Sequence, residues 1–230
     1  MKKTFLYDSY LFSSIKKKDG IIACIVINVI VFLYFILVCL LPQYKSSVIA
    51  VWFFCLFSVL LLIAHRKKLD TLGITSNNMI INVAALVAGS TIAFIFNIKQ
   101  IALEQVALCD FIINILYYLI LFFVSEELVF RGYLWPRMIK LFGKHKGTII
   151  CGILYGIMHF IPAVAYEHTE INWINIFNMI SGGIIGQYIF GTIYFYSSNI
   201  FLSTIIHAIP HFNVVDKTIK GIWCSFSSII

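Results

Sequence analysis

Charge is what this sequence has least of. Only 12% of its 230 residues are Asp, Glu, Lys or Arg, against 61% hydrophobic. An ordinary soluble domain is roughly a quarter charged and about half apolar. A chain this short has too little interior to hide so much apolar surface from water, which excludes a water-soluble globular domain. Paired cysteine is missing too. The six cysteines, Cys24, Cys39, Cys55, Cys109, Cys151 and Cys224, include no C-x-x-C pair, and most lie in apolar stretches, where a free thiol behaves as a small hydrophobe. Neither a disulfide framework nor a thiolate zinc site is therefore supported. No small-residue cleavage site follows the first apolar run, so that run reads as a retained anchor and not as a signal peptide.

What is present is a series of apolar runs of membrane-spanning length, roughly 17–25 residues. They cover 21–41, 48–64, 79–96, 108–130, 148–165, 174–196 and 200–215, the last interrupted by Pro210. In hydrocarbon every backbone polar group must be satisfied within its own segment, so runs of this length become helices. The fold class that follows is all-α: a polytopic transmembrane helical bundle of about seven helices, or eight if the tail 216–230 forms another. Residues 1–230 make a single membrane domain, since no linker or convincing internal repeat divides them. Two small-x-x-x-small pairs, Gly152 with Gly156 and Gly182 with Gly186, point to close helix contacts.

Basic residues fall on one side of this pattern. With the amino terminus cytoplasmic, inner segments hold Lys2, Lys3, Lys16–Lys18, Arg66, Lys67, Lys68, Arg131, Arg137, Lys140, Lys144 and Lys146, whereas outer loops hold only Lys45 and Lys99. This is the positive-inside signature of a multi-pass cell-membrane protein, and the net charge of +7 reads as topology and contact with anionic lipid. Charges scattered among loops make no nucleic-acid surface. The partners implied are the bilayer and a substrate within reach of it.

Ionisable residues divide the chain. Helices within 1–107 carry almost none and read as scaffold. Residues 108–215 place Asp110, Glu126, Glu127, His159, His207 and His211 in or beside spans, where such groups are costly and face a bundle interior or wet cavity. In Ser125-Glu126-Glu127-Leu128-Val129-Phe130-Arg131-Gly132, Glu127 and Arg131 stand four apart on one helix face in the favoured order. Glu126, about 100° around an α-helix from its neighbour, is free to point elsewhere. The expected division is a structural Glu127–Arg131 pair and a working Glu126. Tyr155 and His159 share a face by the same spacing. His207 and His211 form a third element, with Pro210 expected to disturb the helix around His207. His65, His145 and His168 fall in loops or at helix ends and read as solvated, Glu167 and Glu170 belong to an outer loop, and Asp110 suits a helix start.

Taken together, Glu126-Glu127-x-x-x-Arg131, Tyr155-x-x-x-His159 and His207-x-x-x-His211 resemble the three ordered motifs of the CPBP family, the CAAX protease and bacteriocin-processing membrane proteins also called Abi. The resemblance covers roughly 108–213, and the stretch EELVFRGYL is its closest part. It departs twice: Tyr155 stands where Phe is usual, and His211 where Asn is usual. The resemblance implies an intramembrane endopeptidase, of metallo or glutamate type, that hydrolyses a peptide bond of a membrane-associated peptide or protein. Glu126 and His159 would activate water, His207 and His211 would stabilise the oxyanion, and Glu127, Arg131 and Tyr155 would support the site. A third imidazole also makes Glu126, His159, His207 and His211 a candidate zinc set by ligand type. Two other roles fit the same resemblance: bacteriocin maturation or self-immunity, in keeping with an Ile-, Lys- and Asn-rich, bacterial-style composition, and a non-catalytic membrane scaffold.

The loop 132–147 is expected on the cytoplasmic side. Single cysteines engineered there should react with an impermeant maleimide only after the membrane is opened; labelling of intact cells would reverse the topology.

Overall fold

A computed structural model describes residues 14–40, 46–76, 78–103, 108–166 and 170–211. Lys2, Lys3, Lys45, Glu167, His168 and the tail 216–230 lie outside the described residues. Every regular element among those described is helical. These are α1 (Lys17–Leu40), α2 (Ser46–Ala64), α3 (Met79–Leu103), α4 (Leu108–Phe122), α5 (Trp135–Phe142), α6 (Lys144–Tyr166), α7 (Trp173–Ser197) and α8 (Ile200–Ala208). A π-helical stretch, Phe123–Leu134, joins α4 to α5 without a break, so the described chain forms seven rods of an all-α bundle. Where a single span over 108–130 was expected, the rod runs on to Phe142.

Four stretches, Lys17–Leu37, Met79–Ile98, Phe111–Phe142 and Trp173–Ser197, are long and apolar enough to cross a membrane, and Phe53–Ala64 and Ile200–His211 are shorter apolar helices. Their outer faces expose large hydrophobes such as Ile25, Phe32, Ile80, Phe96 and Phe177. In water that surface would be an aggregation liability; against acyl chains it costs nothing. The main core gathers Ile27, Tyr34, Phe54, Leu128, Phe130, Leu134, Met138 and Cys151, and a second cluster joins Ala93, Phe111, Ile115 and Tyr118 to Ala208.

Buried polar contacts at one end of the bundle set where α8 starts. Asn199 caps that helix by accepting from the Phe201 N–H (2.7 Å), while its amide donates to the Thr75 carbonyl (3.0 Å). The Ile200 N–H donates to the Gly73 carbonyl (3.0 Å), and the Asn78 amide donates to the Ser197 carbonyl (2.7 Å). Gly73 has a positive φ of 74°, and a Cβ there would also strike the Tyr194 ring. Glycine satisfies both demands at once. Gly132 meets a similar limit, since a Cβ would lie 2.7 Å from the Leu72 carbonyl oxygen.

His65 differs from its expected solvated role. It is half-buried just beyond α2, with Nδ1 3.0 Å from the Leu61 carbonyl and Nε2 3.1 Å from an Arg137 guanidinium nitrogen. A carbonyl only accepts, so Nδ1 carries the proton and Nε2 accepts from Arg137. Burial, reinforced by that guanidinium, holds the imidazole below its usual titration range, which keeps the acceptor available. His145 is exposed and faces the Tyr188 hydroxyl at 3.3 Å.

Glycines weld α6 to α7, though not all of those expected. A Cβ on Gly152 would lie 2.5 Å from Ile184 Cα, one on Gly156 2.6 Å from the Met179 carbonyl oxygen, and one on Gly183 2.4 Å from the Gly152 carbonyl oxygen. Gly182 faces open space, and Gly186 meets only its own helix's Phe190 at 3.9 Å. The Gly182–Gly186 pair therefore makes no such contact, because one residue along an α-helix turns the face by about 100° and Gly183 takes the inward position. Gly156→Ala should cost about 1–3 kcal/mol through overpacking, whereas Gly182→Ala should cost nothing and gain up to about 1 kcal/mol of helix propensity. Thermal unfolding of the two variants in detergent checks the contrast.

Candidate active site

Glu127 sits at the centre of the polar residues inside the bundle. Its Oε1 is 3.2 Å from an Arg131 guanidinium nitrogen, and neither side chain is exposed at all. The same oxygen accepts from His207 Nδ1 at 2.9 Å, and Oε2 accepts from the Ser203 hydroxyl at 2.8 Å. Arg131 is further held by rings, its guanidinium lying 4.4 Å from the Tyr155 centroid and 5.3 Å from that of Phe190. Such cation–π contacts matter most where water is excluded. One buried carboxylate thus ties the π-helical stretch to α8, and through Arg131 to α6 and α7.

Glu126 faces the same space from the next position. Its Oε2 accepts a hydrogen bond from the Tyr155 hydroxyl. His159 Nε2 stands 3.8 Å from Oε1, and His207 Nε2 3.8 Å from Oε2. The carboxylate is 18% exposed, His207 11% and His159 45%, so the site opens on the His159 side. Four sequence-selected residues, Glu126, Tyr155, His159 and His207, therefore converge from three separate helical elements. The expectation of an α-helix here needs correction. Hydrogen bonding from i to i+5 widens the turn and brings successive side chains closer in direction than the α-helical 100°. Both carboxylates consequently reach His207, one at each ring nitrogen.

The hydrogen-bond partners also assign the ring protons. His159 Nδ1 is 3.0 Å from the Tyr155 carbonyl, and His207 Nδ1 meets the Arg131-paired carboxylate of Glu127. Both partners only accept, so both Nδ1 atoms donate. Each Nε2 is left to face Glu126. Phe190 stacks on the His207 ring with centroids 4.4 Å apart, closing its other side.

His211 does not join this group. The α-helix stops at Ala208, and Ile209–His211 forms a 3-10 turn. Pro210 has no N–H to continue the α-helical ladder. The tighter turn carries His211 to an exposed position, its ring 6.5 Å from that of His207 and 5.8 Å from that of Tyr118. The four-residue zinc set read from the sequence is not assembled. Glu126, His159 and His207 have the donor types of a catalytic zinc centre, yet among the described residues no group of three or more His, Cys, Asp or Glu is placed to hold a metal. The Tyr155 hydroxyl already engages one oxygen of Glu126. As arranged, these residues do not fit a zinc ion.

Ser203 and Phe190 were not singled out from the sequence. A serine and a phenylalanine in apolar helices carry no local signal of chemistry; only the i,i−4 relation of Ser203 to His207, one turn away on a shared face, could have pointed to the former. Asp110 opens within α4 at a position whose side chain is outside the described residues.

Comparison with protein families returned a match of residues 108–212 to the Rce1-like family, described as type II CAAX prenyl endopeptidase Rce1-like. The matched segment is the one that carries all three motifs, and it agrees with the CPBP resemblance drawn from them. It supports a function of the CAAX-type intramembrane protease kind. No curated protein and no solved structure matched the chain.

Removing Arg131 strands a fully buried carboxylate. Arg131→Met should destabilise by about 3–5 kcal/mol, and Ser203→Ala by about 1 kcal/mol, as read by the fraction surviving a heat challenge in detergent. Equal survival of Arg131→Met and the unsubstituted protein would show the pair to be dispensable.

Proposed function

Taking residues 108–212 as an Rce1-like segment, we propose that the chain is an intramembrane endopeptidase that hydrolyses a peptide bond of a membrane-associated peptide or protein with water activated by Glu126 and His159. One observation carries this reading: two imidazoles, each with Nδ1 committed as a donor, aim Nε2 at the same largely shielded carboxylate from 3.8 Å. Glu126 Oε1 and His159 Nε2 face each other as two acceptors 3.8 Å apart, and a water molecule supplies a proton to each. Lodged between Glu126 Oε1 and His159 Nε2, it would donate one hydrogen bond to each and keep its lone pairs for a carbonyl carbon.

In the proposed reaction Glu126 takes a proton as the water oxygen bonds to the scissile carbon. The carbonyl oxygen becomes an oxyanion, and Glu126 then passes the proton to the leaving amine as the C–N bond breaks. His207 suits the oxyanion. Its Nδ1 rests on Glu127, and a proton on Nε2 in the transition state would face the developing charge. His211, exposed beside His207, would add a second donor from the substrate side. Glu127, Arg131, Ser203 and Phe190 hold the His207 ring.

The bilayer is the expected compartment of the substrate as well as of the protein. Between α3 and α4 lies an apolar groove of 440 Å³ lined by Leu86, Phe94, Phe111, Ile115 and Leu119. Leu119 is two helical turns, about 10 Å at 1.5 Å per residue, from Glu126 along the same rod. That continuity supports a substrate with an apolar portion lying in the membrane. The positive-inside pattern supports a cytoplasmic amino terminus.

Glu126→Gln should abolish cleavage while leaving protein abundance unchanged, and peptidomics of membranes holding the two proteins should show substrates persisting in the variant. His211→Asn should retain most activity, because an amide can donate the same hydrogen bond, whereas His211→Ala should lose roughly 10²–10³-fold. Full activity of Glu126→Gln would end the peptidase reading. Stoichiometric zinc in the purified protein, lost in His211→Asn together with activity, would replace the proposed mechanism with a metal-based one.

A further inference from the structure

Tyr155 occupies a position where the resembling motif has Phe, and its one additional atom is the one that touches Glu126. Its hydroxyl donates to Oε2, leaving Oε1 as the oxygen on the His159 side. The ring that delivers this hydroxyl has little freedom. It is buried, with the Arg131 guanidinium 4.4 Å from its centroid, the Phe130 ring edge-on at 5.1 Å and the His159 ring at 4.3 Å. Its backbone is equally constrained, since Gly156 and Gly152 seat α6 against α7 so closely that a methyl group on either would overlap backbone. A glutamate side chain has three rotatable bonds to order, and a carboxylate with no fixed donor would spread over several rotamers. Glu127 needs no such help, having Arg131, His207 and Ser203 on its two oxygens.

We infer that Tyr155 is a positioning residue for Glu126: its hydroxyl pins Oε2 and thereby turns Oε1 toward His159 as the single oxygen that meets the attacking water. The Phe of the resembling motif would keep the ring contacts with Arg131, Phe130 and His159 but could not select between the two oxygens. The hydroxyl is thus separable from the ring, and Tyr155→Phe removes the one without the other. Only the kinetic consequence rests on the peptidase reading; the Tyr155–Glu126 contact does not.

The test pairs kinetics with a spectroscopic readout on the full chain in detergent or nanodiscs. In protein made with ¹³C-carboxylate glutamate, the infrared difference between the unsubstituted chain and Glu126→Gln isolates the Glu126 carboxylate band. Tyr155→Phe should shift that band, because a hydrogen bond to one oxygen is lost, and should lower kcat roughly 10- to 100-fold, the scale of a small misplacement of a reacting group, with KM changed less than about threefold. If Tyr155→Phe does not accumulate, 3-fluorotyrosine at 155 keeps the side chain and strengthens the donor, and the band should shift in the opposite sense. An unmoved band in either protein overturns the inference. So does a shifted band with unchanged kcat, since the contact would then orient nothing that matters to turnover. A shifted band in a protein with no cleavage activity at all, Glu126 intact, would leave the contact standing and remove the peptidase reading instead.

Discussion

A fully buried carboxylate and guanidinium, Glu127 and Arg131, hold this architecture to one arrangement. Charges inside a membrane bundle survive only when each meets its opposite at close range. Glu127 meets that condition with three partners drawn from two elements, and Arg131 with one carboxylate and two aromatic faces. Because the cost of breaking the set is high, the π-helical stretch, α6, α7 and α8 are bound to a common register. Everything that faces Glu126 inherits its position from that register.

Two neighbouring glutamates therefore experience opposite surroundings. Glu127 is sealed, neutralised by Arg131 and occupied on both oxygens. Glu126 is partly open and meets imidazole nitrogens whose protons are committed elsewhere. The contrast is the one expected between a carboxylate that holds a structure and one available to exchange a proton, and it arises between adjacent residues because a π-helical turn aims them at the same ring from two sides. The tight glycine contacts of α6 with α7 and the capped start of α8 at Asn199 supply stiffness at the two remaining corners. A reacting group held by stiff elements loses less to misorientation than one on a loop.

Much was legible in the residues alone. Length and polarity of the apolar runs determined an all-α membrane bundle, because hydrocarbon leaves the backbone no other partner than itself. The four-residue spacing of Glu127 and Arg131, and of Tyr155 and His159, determined which side chains share a face, since that is local geometry. The same local rule could not say that 123–134 would wind as a π-helix, that Gly183 and not Gly182 would meet α6, or that His65 would sit half-buried against Arg137. Those outcomes depend on what the neighbouring helix offers in return.

The assembly of the site lay further out of reach. Sequence order placed Glu126, His159 and His207 on separate helices with no means of relating their rotations. Only packing decided that both Nδ1 atoms would be spent on acceptors, that Ser203 and Phe190 would brace His207, and that a 3-10 turn at Pro210 would carry His211 away from the carboxylate. Residue identity determined which functional groups were available and which could share a helix face, because covalent spacing sets that much. Their direction toward one another was left to the tertiary structure, because a side chain's aim across helices follows from contacts made by residues far away in the chain.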